Sequence, residues 1–133
     1  MSQMLAASYT AKKISPMLAV ADMRETLEFY RQVLGFKVVI NAPEYSIVER
    51  DGLTIHFMKA ASQHVLDCVR GHTEIYLEVS GIRAFWEHVK SYSGVYKIRE
   101  LLDREYGMTE FHIEDPNGCL VFVGEPSASA NRT

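Results

Sequence analysis

The sequence predicts an α+β fold built from two tandem βαβββ modules, and three observations carry that expectation. Apolar patterning alternates between period two and helical spacing, in the same order, twice along the chain. The punctuation repeats with it: setting Val20 on Val79 also sets Leu18 on Leu77 and Gly35 on Gly94. Finally, the tight turn Asp51-Gly52 has a counterpart in Asp115-Pro116-Asn117-Gly118, with Gly52 falling on Gly118 at a larger offset. That offset places a small insertion in the second module, around Asp103 to Gly107.

Each element follows from its residues. Ile14 to Val20 is a short apolar run ending at Asp22, whose carboxylate can cap a helix carrying Met23, Leu27, Tyr30 and Leu34 at helical spacing. Gly35 stops that helix. Phe36 to Ile40, Tyr45 to Glu49 and Leu53 to Lys59 read as strands, joined by Asn41-Ala42-Pro43 and by the Asp51-Gly52 hairpin. Ala60 to His72 is a polar connector with one helical turn around His64 to Cys68. The pattern then restarts. Thr73 to Val79 alternates as a strand, and Gly81 opens a helix with Ile82, Phe85, Trp86 and Val89 on one face, closed by Gly94. Val95 to Leu102, Met108 to Glu114 and Cys119 to Gly124 complete the module, and Pro and Gly suit the second and fourth positions of a type I turn between the last two. The expected organisation is an N-terminal tail over 1–13, one domain over 14–126 with modules at about 14–60 and 73–126, and a flexible tail over 127–133.

Composition narrows the function classes. The chain has 133 residues, 47% hydrophobic and 23% charged, the profile of a single folded domain that needs no disulfide or structural metal. With 14 Lys+Arg against 17 Asp+Glu and no basic cluster beyond Lys12-Lys13, it lacks a phosphate-tracking surface, so no nucleic-acid partner is expected. No stretch approaches the roughly 20 apolar residues of a membrane span, and Met1 to Lys13 does not resemble a secretory leader. A cytoplasmic protein with no membrane partner is expected, and Cys68 and Cys119 are read as reduced thiols. Motifs for nucleotide binding and for serine or zinc hydrolysis, GxGxxG, the P-loop, GxSxG and HExxH, are missing. Trp86 reads as core, and His64, His72 and His88 as surface or loop residues.

Strand alternation sorts each strand into two faces. The side toward the helices takes Leu18, Val20, Ile55, Phe57, Ile75, Leu77, Val79, Phe111, Ile113, Cys119, Val121 and Val123. The opposite side collects Ser15, Met17, Thr54, His56, Met58, Glu74, Tyr76, Glu78, Glu110, His112, Glu114, Leu120 and Phe122. A face mixing acids, histidines, methionines and aromatics offers apolar area for affinity and polar groups for orientation, as a ligand cleft requires. Read from residues alone, it is equally a solvated outer sheet face.

Ile14-Ser-Pro-Met-Leu-Ala-Val-Ala-Asp22, Leu27-Glu-Phe-Tyr-Arg-Gln-Val-Leu-Gly-Phe36 with its FYxxxLGF pattern, and Glu114-Asp-Pro-Asn-Gly118 with its DPxG pattern resemble the vicinal-oxygen-chelate superfamily, which includes glyoxalase I, extradiol dioxygenases and bleomycin resistance proteins. The resemblance covers roughly Ile14 to Pro126 and implies curled mixed sheets around a cleft, commonly completed by dimerisation, so a homodimer is expected. In metal-dependent members the ligands come from the opening and last strands of each module, positions held here by Ser15, His56, Glu74 and Phe122. Phe122 cannot ligate and Ser15 ligates poorly, whereas catalytic metal sites usually hold three protein side chains. No metal or other cofactor is therefore expected, and a divalent metal held by His56, Glu74 and His112 is the alternative.

The metal-free branch, similar to bleomycin resistance proteins, implies sequestration of a bulky cationic antibiotic without chemistry. Thr54-Ile-His-Phe-Met58, Thr73-Glu-Ile-Tyr-Leu-Glu-Val79 and Tyr106-Gly-Met-Thr-Glu-Phe111 resemble its middle and end regions. The expected function is binding of a small cationic or aromatic molecule at His56, Met58, Glu74, Tyr76, Glu110, His112 and Phe122, with Tyr76 and Phe122 supplying π faces. A metal-dependent glyoxalase-like lyase, isomerase or dioxygenase is the alternative. A metal-free enzyme with Glu74 as general base and His56 as its partner is a third option.

Overall fold

A computed structural model describes residues 8–127. Two four-stranded mixed sheets form, ordered β1-β4-β3-β2 and β5-β8-β7-β6. The first module consists of β1 (Met17–Val20), α1 (Met23–Glu28), β2 (Lys37–Asn41), β3 (Tyr45–Arg50) and β4 (Leu53–Lys59) in chain order. A connecting helix α2 (Gln63–Val69) leads to the second module: β5 (Thr73–Glu78), α3 (Ile82–Val89), β6 (Ile98–Asp103), β7 (Met108–Glu114) and β8 (Cys119–Pro126). The expected pair of βαβββ modules is what the chain forms.

Strand register tests the internal alignment directly. In the first module Leu18 pairs with Phe57 across a parallel contact, and in the second Leu77 pairs with Val123 in the same way. The correspondence of Leu18 with Leu77 therefore holds in three dimensions, and Phe57 falls on Val123.

Local chemistry explains the elements. Asp22 accepts from the Glu25 amide at 3.1 Å and caps α1. Asp51 and Gly52 both take positive φ, 51° and 83°, as a two-residue type I′ hairpin demands. Gly118 donates to the Asp115 carbonyl at 3.1 Å, closing the expected turn. Three details depart from expectation, the first being that β6 begins at Ile98 rather than Val95, whose amide instead closes a turn onto the Tyr92 carbonyl at 2.9 Å. The first helix does not run on regularly to Leu34: it widens into a π-helical stretch over Phe29–Val33, which brings Phe29 and Val33 into the core beside Tyr30 and Leu34. The second module's helix ends at Val89 and tightens into a 3₁₀ turn over Lys90–Tyr92, so Gly94 lies beyond it rather than acting as its stop.

One core joins both modules, with Leu18, Val20, Ile55, Phe57, Phe111, Ile113, Cys119, Val121 and Val123 buried together. Ile75 and Leu77 are only partly buried against it. Trp86 packs on Phe111 with ring centroids 5.4 Å apart, a core role as its spacing suggested. A polar clasp crosses the module boundary. Tyr30 donates to Asp115 Oδ2 at 2.7 Å, the Asn117 amide group donates to Thr26 Oγ1 at 2.9 Å, and the Ala21 N–H donates to Asn117 Oδ1 at 2.9 Å. Burial lifts the Asp115 pKa, against the pull of hydrogen bonds from Tyr30 and two backbone amides. Cys119 beside it is buried, and burial with the nearby Asp115 pushes its thiol up to about 12, that of an inert core thiol. At the chain's far end Ser127 is buried and bonded to Thr109, so the fold holds the chain through that residue. Asn131-Arg132-Thr133 has the form of an N-glycosylation sequon and lies outside the described residues.

Candidate functional site

Both sheets turn their helix-free faces outward, and the expected site residues divide between them. On the first sheet Met17, His56 and Ile47 are register neighbours, as are Tyr45 and Met58. Tyr45 Oη bonds His56 Nδ1, and Ser15 Oγ bonds Thr54 Oγ1. Met17 and Met58 are exposed. On the second sheet Tyr76 and His112 flank Phe122 on its two neighbouring strands. Tyr76 stacks on Phe122 at 6.1 Å and 20°, while His112 lies 4.0 Å from the same ring. Glu74 and Glu78 are exposed on β5.

The structure thus brings Tyr76, Glu110, His112 and Phe122 together, and sets His56 and Met58 on the other sheet. The hydrogen bonds of His56 stay within β1–β4, and those of Tyr76 and Glu110 within β5–β8. Two cavities of about 750 Å³ and 640 Å³ lie elsewhere, one between α1 and the β2 edge, the other in the groove between modules near Leu77 and His88. Within one chain the expected face is an open platform rather than an enclosed cleft.

Glu110 is the residue whose environment differs most from a sequence-based expectation. Rather than lining the surface as a free acid, it is 0% exposed. Tyr76 donates to its Oε2 at 2.6 Å and Tyr106 to its Oε1 at 2.6 Å. His112 Nε2 donates to Oε1 at 3.1 Å, and Arg104 Nε approaches to 3.8 Å. Burial opposes ionisation of this carboxyl, yet the hydrogen bonds from Tyr106, Tyr76 and His112 outweigh it and hold the pKa below the ordinary carboxylate range. The phenols respond in the opposite sense. Burial and the bond to Glu110 raise Tyr76 well above a free phenol, and Tyr106 is raised chiefly by its bond to Glu110. Both stay protonated donors at neutral pH.

The cover over Glu110 is thin, because Tyr76 and Tyr106 are themselves 50% and 61% exposed. Gly124 makes the arrangement possible. It pairs with Glu110 across β7 and β8, and a Cβ built on it would lie 2.1 Å from Tyr76 Oη and 3.2 Å from Glu110 Cγ. Tyr106, Arg104 and Gly124 were not among the expected site residues. Two signals point to them: the register offset that marks Asp103 to Gly107 as inserted, and a glycine inside a strand pattern.

At the positions where metal-dependent relatives would place ligands, Ser15 is bonded to Thr54 and Phe122 carries an aromatic ring against Tyr76 and His112. His112 and Glu110 are bonded to each other. Among the described residues of one chain, no three of His, Cys, Asp or Glu gather where they could share a metal ion.

Paired βαβββ modules with open, chemically mixed sheet faces define a class, and residues 12–123 match the family model of the Glyoxalase/Bleomycin resistance protein/Dioxygenase superfamily: the chain belongs to that superfamily. Among curated relatives, the bleomycin resistance protein of Geobacillus stearothermophilus is 22% identical over 119 residues, covering 80% of this chain and 90% of that one. Among solved structures, a bleomycin-binding protein in complex with bleomycin superposes with a TM-score of 0.73 at 24% identity, over 88% of this chain and 100% of its own. A glyoxalase-related enzyme from Clostridium phytofermentans superposes with a TM-score of 0.71 at 20% identity, over 89% and 97% respectively. At these identities the solved structures speak to the fold. No helix among the described residues is long and apolar enough to cross a membrane.

Proposed function

We propose that this protein binds a small cationic or aromatic molecule on the outward sheet faces, without a metal and without chemistry, two copies together forming the cleft. The observation that carries this reading is the second sheet's face. It sets the stacked pair Tyr76 and Phe122 beside the exposed carboxylates Glu74 and Glu78. Flat rings supply area for a planar ligand, and carboxylates favour positive charge. Curated relatives named bleomycin resistance proteins support the class of ligand.

The homodimer rests on the division of the site. The first sheet presents exposed Met17, Ile40 and Met58 outward, the second presents Tyr76 and Leu102, and a second copy would cover both. The metal-free part rests on the donor set, since Ser15 and Phe122 occupy two of the four expected ligand positions.

Calorimetric titration with bleomycin and with planar cations tests the reading, run alongside light scattering and metal analysis of protein purified without chelator. Binding that weakens with added salt is expected. Glu74→Gln and Tyr76→Ala should each cost about 1 to 3 kcal/mol of affinity in a chain that still folds, Tyr76→Ala with some loss of stability because it also removes a hydrogen bond from Glu110. Variants that bind like wild type would place the site elsewhere. One equivalent of bound metal, or a single-chain mass at every concentration, would overturn the corresponding part.

A further inference from the structure

We infer that Glu110 is a positioning residue: it does not touch the ligand, but holds the rings of Tyr76 and Tyr106 as two fixed, electron-rich walls that select a planar cation over a neutral molecule of the same shape. This rests on the reading of the second sheet's outer face as the ligand site.

The geometry carries it. Each carboxylate oxygen of Glu110 accepts one phenol, Tyr76 at Oε2 and Tyr106 at Oε1, both at 2.6 Å. The carboxylate itself is shielded from solvent, whereas the two rings it holds are half-exposed or more. A ligand arriving at this face meets the rings first. The two tyrosines come from distant parts of the chain, one from the first strand of the module and one from the segment inserted between β6 and β7. Without a shared acceptor, nothing in their own elements sets their orientation relative to each other.

Two further features fit a device for holding rings. Gly124 leaves the space through which the Tyr76 hydroxyl reaches Glu110, where any Cβ would collide with it. Phe122 supports Tyr76 from the adjacent strand in a near-parallel stack. The chemistry then sets the preference. A phenol that donates a strong hydrogen bond to a carboxylate gains electron density in its ring, and a ring richer in electrons attracts a cation more strongly. Arg104 and His112 contact the same carboxylate from the side and stabilise its ionised form, so Glu110 is already satisfied before a ligand arrives.

The test compares N-methylacridinium, a permanently cationic planar dye, with acridine, its neutral counterpart, by fluorescence titration at mildly alkaline pH. Wild type should prefer the cation by about tenfold or more. Glu110→Gln should lose most of that preference, and so should the double variant Tyr76→Phe/Tyr106→Phe, which keeps both rings but removes their bonds. Combining all three substitutions should add nothing further, because Glu110 acts only through the two hydroxyls. Near-ultraviolet tyrosine circular dichroism should change in Glu110→Gln as the two rings lose their fixed orientation, and the same substitution should change it little in the Tyr76→Phe/Tyr106→Phe background, where those two chromophores are gone. Should Glu110→Gln unfold, the tyrosine double variant and each single Tyr→Phe variant still read the preference. Losses that add in the triple variant would mean that Glu110 contacts the ligand directly, and unchanged selectivity in Glu110→Gln or in the tyrosine variants would overturn the inference while leaving the binding face in place. If wild type binds neither dye, the proposed face itself falls, and the inference with it.

Discussion

The two modules share one architecture and use it for different ends. The registers of β1, β4 and β3 superimpose on those of β5, β8 and β7, whereas the edge strands β2 and β6 carry different bulges. Met17 pairs with His56 where Tyr76 pairs with Phe122, and Tyr45 pairs with Met58 where Glu110 pairs with Gly124. In the first module a large Met58 fills the position and a tyrosine bonds a histidine. In the second, loss of that side chain at Gly124 opens room for a tyrosine from the neighbouring strand to reach a buried acid. The polar network takes several exchanges at matched positions: Gly124 in place of Met58 makes the space, while Tyr76, Glu110 and His112 stand where the first module has Met17, Tyr45 and Ile47. The turns diverge as well: Asp51 is exposed in a plain hairpin, while Asp115 in the matching turn clasps the first module's helix.

The turns should show the largest difference. Asp115→Ala strands three buried donors, the Tyr30 hydroxyl and the amides of Asn117 and Cys119, and should destabilise the fold by about 3 kcal/mol or more. Asp51→Asn, at the matching exposed turn, should change stability by less than about 0.5 kcal/mol. Urea denaturation of the two variants checks this, and equal effects would mean that the clasp does not hold the modules together.

The sheet faces come next. Gly124→Ala should cost roughly 1 to 3 kcal/mol by forcing Tyr76 off Glu110, with the cost reduced when Tyr76→Ala is added. Met58→Ala, at the equivalent and exposed position, should cost less than about 1 kcal/mol. Thermal melts of these variants would break the comparison if Gly124→Ala proved neutral.

How much of this was legible in the sequence depends on the range of the interactions involved. Strand alternation is local, and it correctly put Phe111 and Ile113 into the core with Glu110 and His112 on the other side. Turn chemistry is also local, and the Asp51-Gly52 hairpin follows from two residues. The burial of Glu110 is not local. It arises from a tyrosine on β5, a tyrosine and an arginine in an inserted segment, and a missing Cβ on β8, none of which lies in its own strand. An acid facing away from the helices therefore looked like a free cleft carboxylate. The clasp escaped for the same reason, since Asp115 and Tyr30 are 85 residues apart. The π-helical widening, finally, is a response to packing, which helical spacing alone does not encode.

The smallest effect separates two buried acids within the second module. Glu110 has its pKa lowered in the folded state, so the unfolded chain binds that proton more readily. Its contribution to stability is fully present above the ordinary carboxylate range and is lost as pH falls through that range and below it. Asp115 has its pKa raised by burial, so the sign reverses: its contribution is fully present below the ordinary range and is lost as pH rises through the elevated folded value. Removing each titration by an isosteric amide isolates the two. The stability gap between wild type and Glu110→Gln should narrow on acidification, whereas the gap between wild type and Asp115→Asn should shift in favour of wild type over the same interval. Urea melts from neutral to acid pH measure both slopes. Parallel slopes would show that the two carboxylates sit in equivalent environments, contrary to one being held by three side-chain donors under a thin aromatic cover and the other being sunk between modules.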